Sequence, residues 1–261
     1  MSNVWYPGHI NKAKRRIKEY LKAVDSILIV LDARAPLATT AFEIDIFKGK
    51  NILFVLNKSD IANNELTTKW LQTIGQTAPV ISFNKNDSIS KIKNFVLKNS
   101  KTKLNETRLL IAGVPNVGKS SIINKISGKR SAKTGATPGI TRGVQWINLG
   151  KIKLLDTPGI VFAKLFNKDI AAKLLLVGSL PIENIDNYDI ISRAFDIYKT
   201  EANVEEDFED YITKFGLSRG FISKGGKCDF ERSKNIFFKL LSEGKLGKFT
   251  YDKDFSMWIY K

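Results

Sequence analysis

The stretch RLLIAGVPNVGKS, residues 108–120, decides the fold. Its first half is an apolar run of buried-strand type, its second half is a glycine-bearing loop, and SSIINKIS (120–127) continues with helical periodicity. Gly113 to Ser120 satisfies G-x-x-x-x-G-K-[ST], and the strand before it and the helix after it are the context that this phosphate loop needs. The glycines let backbone N–H groups converge on phosphate oxygens, and the helix N-terminus adds partial positive charge. Lys119 is placed to bridge the β- and γ-phosphates and Ser120 to bind Mg²⁺, while Asn116, Val117, Gly118 and Ser121 complete the cradle.

Working outward, SILIVLDAR (26–34), NILFVLNKSD (51–60), PVISFN (79–84) and IKLLDTPG (152–159) each read as a buried strand running into a polar loop, and QWINLG (145–150) as a further, antiparallel strand. Helical patterns lie between them at 65–75 and 88–99. Alternating strand and helix predicts an α/β fold, a mostly parallel sheet with helices on both faces, in which ligands sit at the carboxyl ends of the strands. After about residue 165 the strand signals stop. The segments 171–180, 189–200, 205–216 and 231–244 have helical periodicity, so the expected division is a first domain at 1–165 and a small all-helical domain at 166–261.

Two of the strand ends carry further motifs. Asn57-Lys58-Ser59-Asp60 fits N-K-x-D. A carboxylate accepting from N1–H and the exocyclic amine selects guanine, because adenine presents an acceptor at N1 and has no 2-amino group. Asp60 would fill that role, with Asn57 facing N7 and O6 and the Lys58 stem over the base. Asp156-Thr157-Pro158-Gly159 fits D-x-x-G, where the carboxylate of Asp156 holds Mg²⁺ through water and the Gly159 N–H reports on the γ-phosphate. Together the motifs predict GTP and GDP as ligands. Their order is inverted, since the base-reading tetrapeptide precedes the phosphate loop by more than fifty residues. The sheet closes only if the domain is circularly permuted, which compact domains with neighbouring termini tolerate.

At this point the chain resembles the circularly permuted ribosome-biogenesis GTPases of the YlqF/RbgA type. It shares WYPGHINKA (5–13), LDARAP (31–36), NKSD, GVPNVGKSS, TPGITR (137–142), DTPGI and KGGKCD (224–229). The resemblance implies GTP hydrolysis, late assembly of the large (50S) ribosomal subunit and an RNA-binding helical domain. It also implies that Thr141 closes over Mg²⁺ and the γ-phosphate and that Ser82 belongs to the loop under the guanine ring. Ile160 stands where Ras-like GTPases carry a water-orienting glutamine. Hydrolysis is therefore expected to be slow alone and stimulated by the large subunit. His9, the sole histidine, is the resemblance's candidate to orient water; the alternative is a turn histidine that docks the basic N-terminus or touches RNA. Asn116 stands where potassium-stimulated GTPases offer a side-chain carbonyl to K⁺, and a loop-stabilising asparagine is the alternative.

Composition agrees. The 261 residues carry a net charge of +16 with 43% hydrophobic side chains, enough for a core and a reason to look for a polyanion partner. Lysine supplies 33 of the 42 basic residues, a bias that coding preference can also produce. One cysteine and no apolar run of about 20 residues point to a cytoplasmic chain without a membrane span. Residues 183–210 have a net charge of −8, whereas 215–248 hold eight basic residues against three acidic ones around Gly225-Gly226. Arg219, Lys224, Lys227, Arg232, Lys234, Lys245 and Lys248 are the expected rRNA contacts, and Phe237, Phe238, Leu240 and Leu241 the expected core; Trp258 receives no role. The expected partner is a precursor of the large ribosomal subunit and its rRNA, bound by a monomer. Rival readings are a GTP-dependent adaptor for proteins and a nucleotide-loaded RNA-binding protein with negligible turnover.

Overall fold

Runs such as ILIVL and ILFVL have β-branched and leucine side chains on both faces, so they are stable only where both faces are covered, which is the environment of a parallel sheet. The computed structural model describes residues 17–40, 44–100, 106–127, 145–156 and 167–258. In it these runs form β1 (Ser26–Asp32) and β2 (Asn51–Asn57), fully buried but for Asn51. Burying each such side chain stabilises the fold by about 1.5–3 kcal/mol.

The remaining strands are β3 (Val80–Ser82), β4 (Thr107–Ala112), β5 (Gln145–Asn148) and β6 (Ile152–Asp156). They form one six-stranded sheet in the order β3-β2-β1-β4-β6-β5. All pairs are parallel except β5 with β6, so the further strand at 145–148 is indeed antiparallel. The order runs outward from β1 in one direction through β2 and β3, then restarts on its other side at β4. Crevices at such a reversal, beyond the strands' carboxyl ends, are where ligands bind in open α/β sheets. Register brings Asp32 level with Asn57, and Leu56 level with Ser82, so the ends of β1, β2 and β3 share one rim.

Helical residues 17–23 (α1) and the short α2 (Pro36–Thr39) flank β1. Then α3 (Asn64–Gly75) and α4 (Ile89–Asn99) connect β2 to β3 and β3 to β4. Helix α5 (Lys119–Ser127) opens directly from the phosphate loop. Beyond residue 166 come α6 (Lys168–Leu176), α7 (Tyr188–Ala202), α8 (Phe208–Ser218) and α9 (Phe230–Ser242). Their starts are written in the sequence: Asn167, Asn187, Asp207 and Asp229 each accept a backbone N–H of the first turn. Phe195, Tyr198, Phe208, Tyr211 and Phe237 interlock in their core, Tyr198, Tyr211 and Phe237 edge to face and Phe195 tilted against Phe208 and Tyr211. Phe237, Phe238 and Leu241 are buried there as expected, with Leu240 half-buried.

The last stretch departs from a purely helical reading. Residues 250–258 return to the first part of the chain, where the Trp258 ring meets Phe54 at 5.3 Å and its Nε1 donates to Thr77 Oγ1 at 3.1 Å. Trp70 Nε1 donates to Asp252 O at 3.0 Å, and Asp252 Oδ2 accepts from Ala38 N at 3.0 Å. No helix among the described residues is long and apolar enough to cross a membrane.

Candidate functional site

The phosphate loop is built by two glycines whose conformations other residues rarely adopt. Gly113 has φ +150°, and a Cβ there would stand 2.4 Å from Val30 O; Gly118 has φ +99°, and a Cβ there would stand 2.2 Å from Asn57 Nδ2. Val117 anchors the loop as a fully buried side chain. Lys119 folds back over the loop, donating to Gly113 O at 2.7 Å and Val114 O at 2.8 Å. Ser120 is half-buried and Ser121 exposed in the first turn of α5. Backbone amides, a helix N-terminus and an ammonium group are thus gathered at one loop, the arrangement that holds an oligophosphate.

Asn57 and the loop are joined directly: Asn57 Nδ2 donates to Val117 O at 2.7 Å. The N-K-x-D segment, more than fifty residues earlier in sequence, therefore touches the phosphate loop in space. Lys58 takes the left-handed conformation, φ 59° and ψ 30°, which turns the chain sharply out of β2 and into a 3₁₀ turn holding Asp60. Asp60 faces Lys85 Nζ at 3.8 Å. Ser82 ends β3 on the same rim, and the loop after it is tied down by Phe83 N donating to Leu56 O and Ser59 N to Phe83 O. Lys125 of α5 caps this loop, donating to Lys85 O at 2.6 Å and lying 5.3 Å from the Phe83 ring centre.

Asn116, in the left-handed region at φ 60°, donates through its amide nitrogen to Gly178 O at 2.8 Å, just past the end of α6. His9, Thr141, Gly159 and Ile160 lie outside the described residues, as does the side chain of Asp156, whose backbone closes β6. Of the expected site residues, the structure brings Asn57, Lys58, Asp60, Ser82 and Asn116 to Ser121 to one end of the sheet.

Sequence reading missed the group behind this rim. Asp32 is completely buried at the end of β1. Its Oδ1 accepts from Arg34 N and Nε, and its Oδ2 from Arg34 Nη2 at 2.9 Å and Lys58 Nζ at 2.9 Å. Burial pushes the Asp32 carboxyl up, but the charges and hydrogen bonds of Arg34 and Lys58 overrule it and hold the group well below the usual carboxylate range. Burial likewise opposes the charge on Arg34, and Asp32 more than offsets it. The signal was available: a charged pair, D-A-R, follows an apolar strand with no polar spacing, and an ion pair in that position has to be buried.

On the helical side, Arg219 stacks on Phe215 and Arg232 on Phe221, each at 4.5 Å, flanking an exposed turn that carries Lys224 and Lys227. Lys234 and Lys245 pair with Glu231 and Glu243. Of the seven basic residues expected to contact rRNA, all but Lys234 are exposed, and the four around the turn form a basic tip.

Comparison with known proteins agrees with this geometry. Residues 108–218 match the family described as 50S ribosome-binding GTPase. Ribosome biogenesis GTPase A of Thermotoga maritima is 45% identical over 251 residues, covering 95% of this chain and 94% of that one. The protein of the same name from Bacillus cereus is 34% identical, covering 95% and 93%. The solved structure of GNP-bound YlqF from T. maritima superposes with a TM-score of 0.80 at 40% identity, covering 93% of this chain and 98% of that one. A GDP-bound YlqF structure matches equally, at 39% identity and covering 92% and 99%. With the permuted motif order, the shared sheet and full-length similarity in hand, the chain belongs to the ribosome biogenesis GTPase A (YlqF/RbgA) family and is a circularly permuted GTPase.

Proposed function

We propose that the protein is a cytoplasmic, monomeric assembly factor that binds a precursor of the large ribosomal subunit through rRNA when loaded with GTP and leaves after hydrolysis. The observation that carries this reading is the junction at Asn57 and Val117, which joins the base-reading and phosphate-holding loops at the end of the sheet where the helical segment is also attached. Asp60 reads the guanine edge, Asn57 and Lys58 shape the pocket with Ser82 below it, and Asn116 to Ser121 hold the phosphates. Mg²⁺ fits the hydroxyl of Ser120 in the first turn of α5, with Asp156 at the end of β6 and Thr141 as its other holders; bound there, it neutralises charge on the phosphates. Gly159 senses the γ-phosphate. His9 aligns water in place of the side chain that Ile160 lacks, and docking on the subunit completes that alignment, so turnover is slow in the free protein.

Residues 166–261 supply the RNA contact. Four features of the tip support it: Arg219, Lys224, Lys227 and Arg232 are all exposed on one turn and the start of α9. Guanidinium groups stacked on aromatic rings are pre-oriented for phosphate and base contacts. Co-sedimentation with large-subunit precursors tests the whole reading. The protein is expected in the particle fraction with a non-hydrolysable GTP analogue and in the supernatant with GDP, and ribonuclease treatment should release it. Equal sedimentation in both nucleotide states would exclude the switch, and binding that survives ribonuclease would favour a protein partner.

A further inference from the structure

Arg34 spends all five of its donors. Nε and Nη2 hold Asp32 at 2.9 Å, Nη2 also reaches Val177 O at 3.0 Å, and Nη1 reaches Leu241 O at 3.2 Å and Ser242 O at 2.8 Å. These three carbonyls end two helices, α6 and α9, so one buried guanidinium sits at the negative poles of both. Asp32, which balances that charge, also accepts Lys58 of the base-reading tetrapeptide.

Two neighbouring contacts repeat the connection without using Arg34. Asn116 of the phosphate loop donates to Gly178 O, the carbonyl next to Val177 O. Gly244, just past α9 with φ +71°, approaches Ile61 so closely that a Cβ there would stand 2.6 Å from the Ile61 Cβ, and Ile61 adjoins Asp60. Lys58, Ile61 and Asn116 belong to nucleotide-facing loops, and each is in contact with a helix end or with the group that caps it.

We infer that Arg34 is a positioning residue that locks the ends of α6 and α9 to the guanine-reading loop, so that filling the purine pocket and seating the helical segment are one equilibrium. Ordering residues 58–61 around a base fixes Lys58 and Ile61, and these are the same groups that hold Asp32–Arg34 and the end of α9 in place. Contacts shared between two sites couple them, and the coupling is reciprocal. This path runs through the base and not through the γ-phosphate, so GDP engages it as well as GTP. The inference rests on the reading of Asn57–Asp60 as the guanine pocket and is independent of any RNA target.

Hydrogen exchange on the full chain tests it, with GDP affinity measured in parallel. The amides of Gly178, Ser179 and Leu180, and of Gly244 and Lys245, bond to carbonyls of α6 and α9 and report on the helix ends. GDP is expected to slow their exchange by about fivefold or more relative to the nucleotide-free protein, and ADP to leave it unchanged. Arg34→Lys keeps a positive charge beside Asp32 but has too few donors for three carbonyls as well. It should abolish the GDP-dependent increment and weaken GDP binding by the same factor. Gly244→Ala is a second, independent arm: it lies outside the purine and phosphate loops, yet should weaken GDP binding about fivefold by displacing Ile61. Tight GDP binding that leaves the helix-end amides unchanged would overturn the coupling, as would an Arg34→Lys protein that exchanges faster throughout but keeps the full GDP increment. Equal responses to GDP and ADP would remove the base-reading assignment, and the inference with it.

Discussion

A buried carboxylate at the end of a strand is costly unless every lone pair is used, and Asp32 uses four donors from two residues. Its folded-state pKa is depressed, so the stability it contributes is present above the unfolded carboxylate value of about 3.9 and is lost as pH falls through that value toward the folded one. The advantage of the wild-type chain over Asp32→Asn in urea unfolding should therefore be full at pH 6 and shrink progressively below about pH 4. A constant difference over that range would mean that Asp32 is not ionised in the folded protein. Asn116 gives a second prediction at this scale. It uses its amide nitrogen on Gly178 O, which leaves its carbonyl oxygen as the atom that the expected K⁺ would use. Potassium in place of sodium should raise the steady-state GTPase rate in the wild type and not in Asn116→Ala.

At the level of elements, the strands and helices were legible because their patterns and their neighbours agree. The runs at 27–31, 52–56 and 109–112 had no polar position to turn toward solvent, and each of the helices α6 to α9 was preceded by an Asn or Asp cap. The phosphate loop and N-K-x-D were legible because their chemistry fixes residue types at fixed spacing. The C-terminal stretch was not legible. Its partners Thr77, Trp70, Phe54 and Ala38 lie more than 170 residues earlier, and no local periodicity encodes a contact of that range. Trp258, 8% exposed and set against Phe54 of β2, is a core residue contributed to the sheet by residues far along the chain. Trp258→Ala should cost about 3–5 kcal/mol in denaturant unfolding. A loss below about 1 kcal/mol would show that the terminal stretch is not part of that core.

For the molecule as a whole, permutation changes what is connected to what. In this chain the N-K-x-D loop follows β2, ahead of the phosphate loop after β4, and the D-x-x-G segment precedes α6. The carbonyl partners of Arg34, unlike its pairing with Asp32, could not have been anticipated from spacing, because they lie more than 140 residues away and are offered by backbone, which carries no residue signature. Arg34 joins the ends of α6 and α9 to Asp32 and Lys58, while Asn116 separately joins the residue after α6 to the phosphate loop.

The central claim is that a guanine pocket from the early part of the chain and a triphosphate cradle from the later part act as one site. Competition between GTP and xanthosine triphosphate in the Asp60→Asn protein tests it most directly. The amide in place of the carboxylate should donate to the xanthine carbonyl, so hydrolysis should shift from GTP to xanthosine triphosphate by about 100-fold or more in relative kcat/KM, with the phosphate-loop residues unchanged. An Asp60→Asn protein that still prefers GTP as the wild type does would contradict the account.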